Sequence, residues 1–189
     1  MSNERKRSLV WVNLGTTWST APVVESLESG AVRVELEDGT QTTVSNWHAH
    51  DPSHEQDLDD AGQMSDLHEA ALVKLLTRRF TRDQIYTWTG DILLSVNPYR
   101  ELPGLYEEHT ELPGGWTAHS GAPAHIFAVA ELAFSKVATG VKSQVLIVNG
   151  ESGAGKTEAC RLLLERIASS SADARDDLSA SEPSSLPAV

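Results

Sequence analysis

The 189-residue chain carries 15 Lys and Arg against 27 Asp and Glu, a formal charge of −12, and this balance argues against nucleic-acid or anionic-membrane partners, which need clustered cations. Hydrophobic residues at 40% and charged residues at 22% describe a soluble globular chain, and a single cysteine, Cys160, excludes an internal disulfide and fits a reducing compartment. No apolar run reaches the roughly 18 residues that cross a membrane, and the start MSNERKRSLV has no signal core behind it, so a cytoplasmic protein is expected.

In chain order, residues 1–8 read as a disordered start. Residues 9–50 read as a small all-β barrel: LVWVNL, PVVESLE, AVRVELED and TQTTVSN are rich in Val and Thr, separated by Ser29-Gly30 and Asp38-Gly39, a pair that favours a tight hairpin with φ > 0 at both positions. The stretch 51–65 reads as a solvated acidic linker. From Asp51 to Glu69 there are carboxylates at 51, 55, 57, 59, 60, 66 and 69 and no Lys or Arg.

From Asp66, a candidate N-cap, DLHEAALVKLLTRRF places Leu67, Ala71, Leu72, Leu75 and Leu76 on one helical face. QIYTWTGDILLSV reads as a strand pair bent at Gly90 and stopped by Asn97-Pro98. Residues 101–123, rich in glycine and proline, read as loop. APAHIFAVAELAFSKVA then forms a helix with Ile126, Phe127, Ala130, Phe134 and Val137 on one face, while the Ser-rich residues 169–189 read as disordered.

Between these last two lies VLIVNGESGAGKTEACRLLLERI. Residues 150–157 fit G-x-x-x-x-G-K-[ST]. Gly150, Gly153 and Gly155 let successive backbone N–H groups face phosphate oxygens without a Cβ in the way. Lys156 supplies a point charge for the β- and γ-phosphates, the Thr157 hydroxyl is the candidate Mg²⁺ ligand, and the helix opening there turns its positive end to the phosphates. The flanks agree, with a buried-strand run (VLIV) before the loop and the face Ala159, Leu162, Leu163, Ile167 after it. Cys160 reads as a small packing residue rather than a reactive thiol. No strand-terminal Asp follows Thr157 to complete a Mg²⁺ site, and Asp91 opens its strand rather than ending it, so a complete catalytic site is not encoded here.

GESGAGKT followed by Glu158 closely resembles the phosphate loop of the myosin motor head. DLHEAALVKLLTRRFTRDQIYTWTGDILLSVNPYRELPGLY resembles the segment in which that head passes from a helix into a strand pair and its Asn-Pro purine-binding turn. AHIFAVAELAF resembles a third stretch, with Ala124 where Pro is usual, and the β segment resembles the SH3-like barrel before many such heads. The resemblance implies an α/β P-loop NTPase-type fold, as a partial motor domain over 66–168, preceded by the SH3-like barrel. It implies ATP and Mg²⁺ as ligands. Gly150, Glu151, Ser152, Gly153, Ala154, Gly155, Lys156 and Thr157 would hold the phosphates and the ion, Glu158 would lie near the nucleoside, and Asn97, Pro98, Tyr99, Arg100 and Tyr106 would line the adenine pocket. It further implies actin filaments as partner, a cytoskeletal location, light chains or cargo of unknown kind, and actin-activated ATP hydrolysis by a longer motor of which this chain is expected to be a fragment.

Three other readings compete. An SH3-like module could grip proline-rich peptides through Trp11, Trp18 and Trp47 beside a vestigial phosphate loop. Small-molecule kinases carry the loop on a first strand near the chain start, unlike this chain. His48, His50 and His54 invite a metal site, but no Cys or strand-held carboxylate completes one.

Overall fold

The computed structural model of the chain describes residues 8–15, 17–107, 124–140 and 143–180. The expected disordered start to residue 7, the loop from 108 to 123 and the tail beyond 180 lie outside the described residues. The chain divides into two compact units, Met1–Thr81 and Arg82–Val189.

The first unit is built on five strands, β1 (Leu9–Asn13), β2 (Trp18–Ser26), β3 (Val32–Glu35), β4 (Gln41–Val44) and β5 (Trp47–Ala49). They form one antiparallel sheet in the order β4-β3-β2-β1-β5. Val10, Val12, Ala21, Val32 and Val34 form its core on one face. The expected hairpin at Asp38-Gly39 is present with a different turn. Leu36 and Thr40 still pair, Gly39 alone takes φ +80°, and Asp38 keeps a negative φ while its carboxylate accepts from the Thr40 amide and hydroxyl. Glycine at the end of a longer loop supplies the left-handed residue such a turn requires.

Strand β1 is buried on both faces. Trp11 points away from the valine core, is 2% exposed, and donates its indole N–H to His54 Nδ1 at 3.0 Å. His54 belongs to the acidic stretch, so that stretch is not the solvated linker its carboxylates suggest. It folds into two 3₁₀ turns, Pro52–Glu55 and Ala61–Gln63, each opened by an aspartate, Asp51 and Asp60, that accepts from a backbone N–H two residues on. Ala61 and Met64 are buried against Ala71 and Leu75 of helix α1 (Glu69–Phe80), with Leu58 beside them. The missing cations come from the end of that helix. Arg79 reaches Asp59 at 2.7 Å and the Leu58 carbonyl at 3.0 Å, while Arg78 reaches Glu55 at 2.9 Å and the carbonyls of Glu55 and Gln56. A few apolar side chains and two arginines from later in the chain turn a charged run into packed structure. The unit therefore extends through α1 to Thr81, past the boundary expected at residue 66.

Helix α1 is capped by His68, not Asp66: the His68 Nδ1 accepts the Ala71 N–H at 3.3 Å. The buried face is Ala70, Ala71, Leu75 and Arg79, with Leu67 exposed. Burial, followed by the neighbouring His48 and His54 rings, holds the His68 imidazole below its ordinary value of 6.5. A proton on Nδ1 would remove the cap acceptor and add positive charge at the helix N-terminus. A depressed histidine contributes stability above pH 6.5 that is lost as pH falls through its folded value, because the unfolded chain then takes up the proton more readily. The melting temperature of the first unit should therefore fall as pH drops below about 6.5. His68→Asn, which keeps a capping oxygen and cannot titrate, should flatten that part of the profile. Asp51 is held down at about 2 by Ser53 and Ser65 and so titrates well outside this window. A His68→Asn profile that overlays the wild type would contradict the assignment.

The second unit starts with a hairpin, β6 (Tyr86–Thr89) and β7 (Ile92–Ser95), turned at Gly90 and Asp91 as the sequence indicated. Helix α2 (Ile126–Ala138) opens at His125, whose Nδ1 accepts the Phe127 N–H and whose Nε2 lies 3.1 Å from the Leu105 carbonyl. Of its expected face, Ile126, Phe127 and Ala130 are buried, Phe134 is half-buried and Val137 is exposed, with Ala128 and Ala133 buried instead. Helix α3 (Lys156–Ala180) packs on α2, and Leu162 and Leu163 join Tyr86, Trp88, Ile126 and Phe127 in one core. Arg166 of α3 pairs with Glu131 at 2.5 Å and lies over the Phe127 ring.

Two expectations change here. Residues 145–148 are not a buried strand: they pair with no strand among the described residues, and Val145 and Ile147 are 80% and 86% exposed. A strand's hydrogen bonds come from neighbouring strands, which an apolar run cannot supply for itself. The Ser-rich stretch from 169 continues α3 to Ala180, with Ser169, Ser170 and Ser171 donating to carbonyls one turn back. No helix among the described residues is long and apolar enough to cross a membrane.

Candidate functional site

The glycine loop and the Asn97 turn converge in the second unit. Gly153 and Gly155 take φ +81° and +91°, conformations that side chains rarely adopt, and the chain then enters α3 at Lys156. Within the loop the Gly150 N–H donates to Asn149 Oδ1 at 2.9 Å and the Ala154 N–H to the Glu151 carbonyl at 3.2 Å. The Lys156 ammonium folds back over the loop and donates to the carbonyls of Gly150 (2.8 Å) and Glu151 (2.7 Å). Thr157 is exposed on the first turn of α3. A positive end of a 25-residue helix, a lysine and an exposed hydroxyl thus meet within one short segment.

Asn97 follows β7 and faces this loop, its Nδ2 donating to the Gly153 carbonyl at 2.7 Å. Beside it opens a cleft of about 60 Å³ lined by Tyr86, Asn97, Pro98, Tyr106, Gly155 and Glu158, among others. Of the five residues expected around an adenine, Asn97, Pro98 and Tyr106 line this cleft. Tyr99 does not: it is 80% exposed at φ +51°. Arg100 also lies outside the lining, paired with Asp83.

Tyr86 is among the lining residues that the sequence reading did not place here. Tyr86 is 3% exposed, and its hydroxyl lies 3.1 Å from that of Tyr106. Burial, reinforced by Tyr106, pushes its phenol far above the ordinary value of 10, so it stays neutral and able to donate. The signal available was its place on β6, two residues before the buried Trp88 and so on the same face. Glu158 reaches the cleft from α3, and hydrogen bonds from Arg161 hold its carboxyl below the ordinary range. Cys160 is exposed, not a buried filler.

The histidine cluster of the first unit has another role. His54, Asp66 and His68 bring potential ligand atoms within 4.8 Å of one another. Both nitrogens of His54 are already engaged, however. Nδ1 accepts from Trp11 and the Asp51 N–H, and Nε2 faces the Asp66 carbonyl at 2.8 Å, which leaves no lone pair for an ion. Two of the three candidate tryptophans are occupied too. Trp11 is buried on His54, and Trp47 donates to the Gly30 carbonyl at 3.0 Å.

The model of the myosin head (motor domain) family matches residues 58–185. Among curated proteins the chain is 36% identical over 185 residues to Myosin-15 of Arabidopsis thaliana, covering 93% of this chain and 12% of that protein. It is 37% identical over 147 residues to Myosin-7 of the same plant (77% and 8%) and 32% identical over 171 residues to the Myosin-H heavy chain of Dictyostelium discoideum (89% and 10%). The chain thus spans about a tenth of the length of the curated relatives it matches. With more than half its residues matched and similarity carried through the loop, hairpin and helices just described, this chain belongs to the myosin head (motor domain) family.

Proposed function

We propose that the second unit is the ATP-binding portion of an actin-based cytoskeletal motor, with a P-loop NTPase-type fold. The observation that carries this reading is the convergence of the Asn97 turn on the glycine loop at the start of α3, with Lys156 standing over the loop. Backbone amides of 150–157 and the Lys156 ammonium take the triphosphate. The Thr157 hydroxyl is a hard oxygen donor of the kind Mg²⁺ accepts, and the ion would neutralise phosphate charge there. The base lies toward Pro98, Tyr106 and Tyr86. A cleft this small, well under the roughly 300 Å³ of ordinary ligand pockets, must widen to admit it.

In this reading actin filaments are the partner of the whole motor, hydrolysis is activated on them, and the work is done at the cytoskeleton. The SH3-like sheet of the first unit serves as a structural appendage, supported by the internal use of Trp11 and Trp47.

Isothermal calorimetry of the chain with ATP tests the nucleotide assignment. Binding that requires Mg²⁺ and is competed by pyrophosphate is expected. Heat identical to buffer at millimolar ATP, with the protein folded by circular dichroism, would overturn it.

A further inference from the structure

Asn97 is placed by family resemblance among residues around the base, yet its amide is engaged elsewhere. Nδ2 donates to the Gly153 carbonyl at 2.7 Å, and Oδ1 accepts the Tyr99 N–H at 2.9 Å. The orientation of the amide is fixed by its partners. A backbone N–H can only meet the oxygen, and a backbone carbonyl can only meet the nitrogen. On the other side of the same peptide, the Ala154 N–H donates to the Glu151 carbonyl at 3.2 Å. In a trans peptide the C=O and the following N–H point in opposite directions, so these two bonds hold the Gly153–Ala154 plane at both ends. Gly153, at one end of that plane, and Gly155, one residue beyond its other end, take φ +81° and +91°.

The fit around them is close. A Cβ on Gly155 would meet Asn97 Cβ, Cγ and Nδ2 at 3.8–3.9 Å, and one on Gly153 would meet the Tyr99 hydroxyl at 3.5 Å. Asn97 and Tyr99 thus lie directly over the loop's two most permissive residues. Glycines left to themselves sample many conformations, and each one frozen on binding costs affinity.

We infer that Asn97 is a positioning residue for the phosphates rather than a contact for the base: it holds the Gly153–Ala154 peptide in one orientation before the polyphosphate arrives. The inference deepens the nucleotide-binding reading and rests on it for its binding consequence, while the loop restraint can be measured without any ligand. Ligand affinity should then depend on Asn97 whether or not a base is present.

The experiment compares wild type and Asn97→Ala in the full chain with three measurements: MgATP affinity, affinity for inorganic tripolyphosphate, which has no base, and amide hydrogen exchange at Ala154 without ligand. The expected result is an equal loss for MgATP and tripolyphosphate, roughly three- to tenfold, the scale of one hydrogen bond. Exchange at Ala154 should accelerate by a similar factor. A loss confined to MgATP, with tripolyphosphate affinity and Ala154 exchange unchanged, would make Asn97 a base contact and overturn the inference. If wild type takes up neither ligand, the nucleotide reading fails. Ala154 exchange still decides the restraint, since an unchanged rate in Asn97→Ala removes it.

Discussion

Lys156→Ala is expected to abolish measurable MgATP binding, a loss of a hundredfold or more. The ammonium stands over the loop and already donates two hydrogen bonds, to the Gly150 and Glu151 carbonyls. With anionic phosphate oxygens as partners the ammonium pairs with charge as well as hydrogen-bonding, at about 1.5–3 kcal/mol for each bond, and 1.4 kcal/mol is tenfold in affinity. Asn97, the loop amides and the helix end remain in the variant, but none supplies a full positive charge. Lys156→Arg should not restore binding, because a planar fork does not replace a compact ammonium within a closed backbone loop. Calorimetry with MgATP measures the loss. A melting temperature within a few degrees of wild type separates it from unfolding, as expected for a side chain that supports no core residue. Lys156→Ala binding MgATP at wild-type strength would refute the phosphate-loop assignment.

The second large effect concerns the first unit. Trp11→Ala should destabilise it by about 3–5 kcal/mol for the lost packing, with a further ~1 kcal/mol for the bond to His54. Trp11 is 2% exposed and packs at a tilt against both His50 and His54, with ring centroids 5.5 and 6.2 Å away. Removing it leaves a cavity under the first 3₁₀ turn and takes one of the two donors from Nδ1 of a fully buried imidazole, which keeps only the Asp51 N–H. A loss of this size approaches the whole stability of many small domains. Trp11→Phe, which fills most of the space without the N–H, should cost only about 1–2 kcal/mol. Urea unfolding gives the two midpoints, and limited proteolysis gives the location: residues 51–65 should resist cleavage in the wild type and become the first cut in Trp11→Ala. Equal cleavage there in both proteins would restore the solvated linker and remove the packing argument.

Much of this protein is written locally. The β6–β7 hairpin follows from alternation interrupted by Gly90, α1 and α2 follow from apolar spacing, and the glycine loop is recognisable because backbone freedom, charge and hydroxyl all sit within residues 150–157. The first four strands of the first unit were likewise marked by Val and Thr runs, whereas β5 (Trp47–Ala49) carries no such run. In each case the interacting groups are near neighbours in the chain, so the sequence records both partners together.

What the tertiary structure decided involves partners that are far apart. The acidic stretch looked solvated because its counter-charges, Arg78 and Arg79, and its aromatic neighbour, Trp11, lie twenty or more residues from their partners in it. His68 displaced Asp66 as cap because side-chain direction at a helix start depends on what packs around it. Residues 145–148 carry the composition of a buried strand but not its ladder, because a ladder's hydrogen bonds belong to other strands. In the candidate site the family resemblance put Asn97 at the base and the loop at the phosphates, with no contact between them. Only the fold, bringing residues 97 and 153 within 2.7 Å, showed that the asparagine's amide is engaged on the loop backbone.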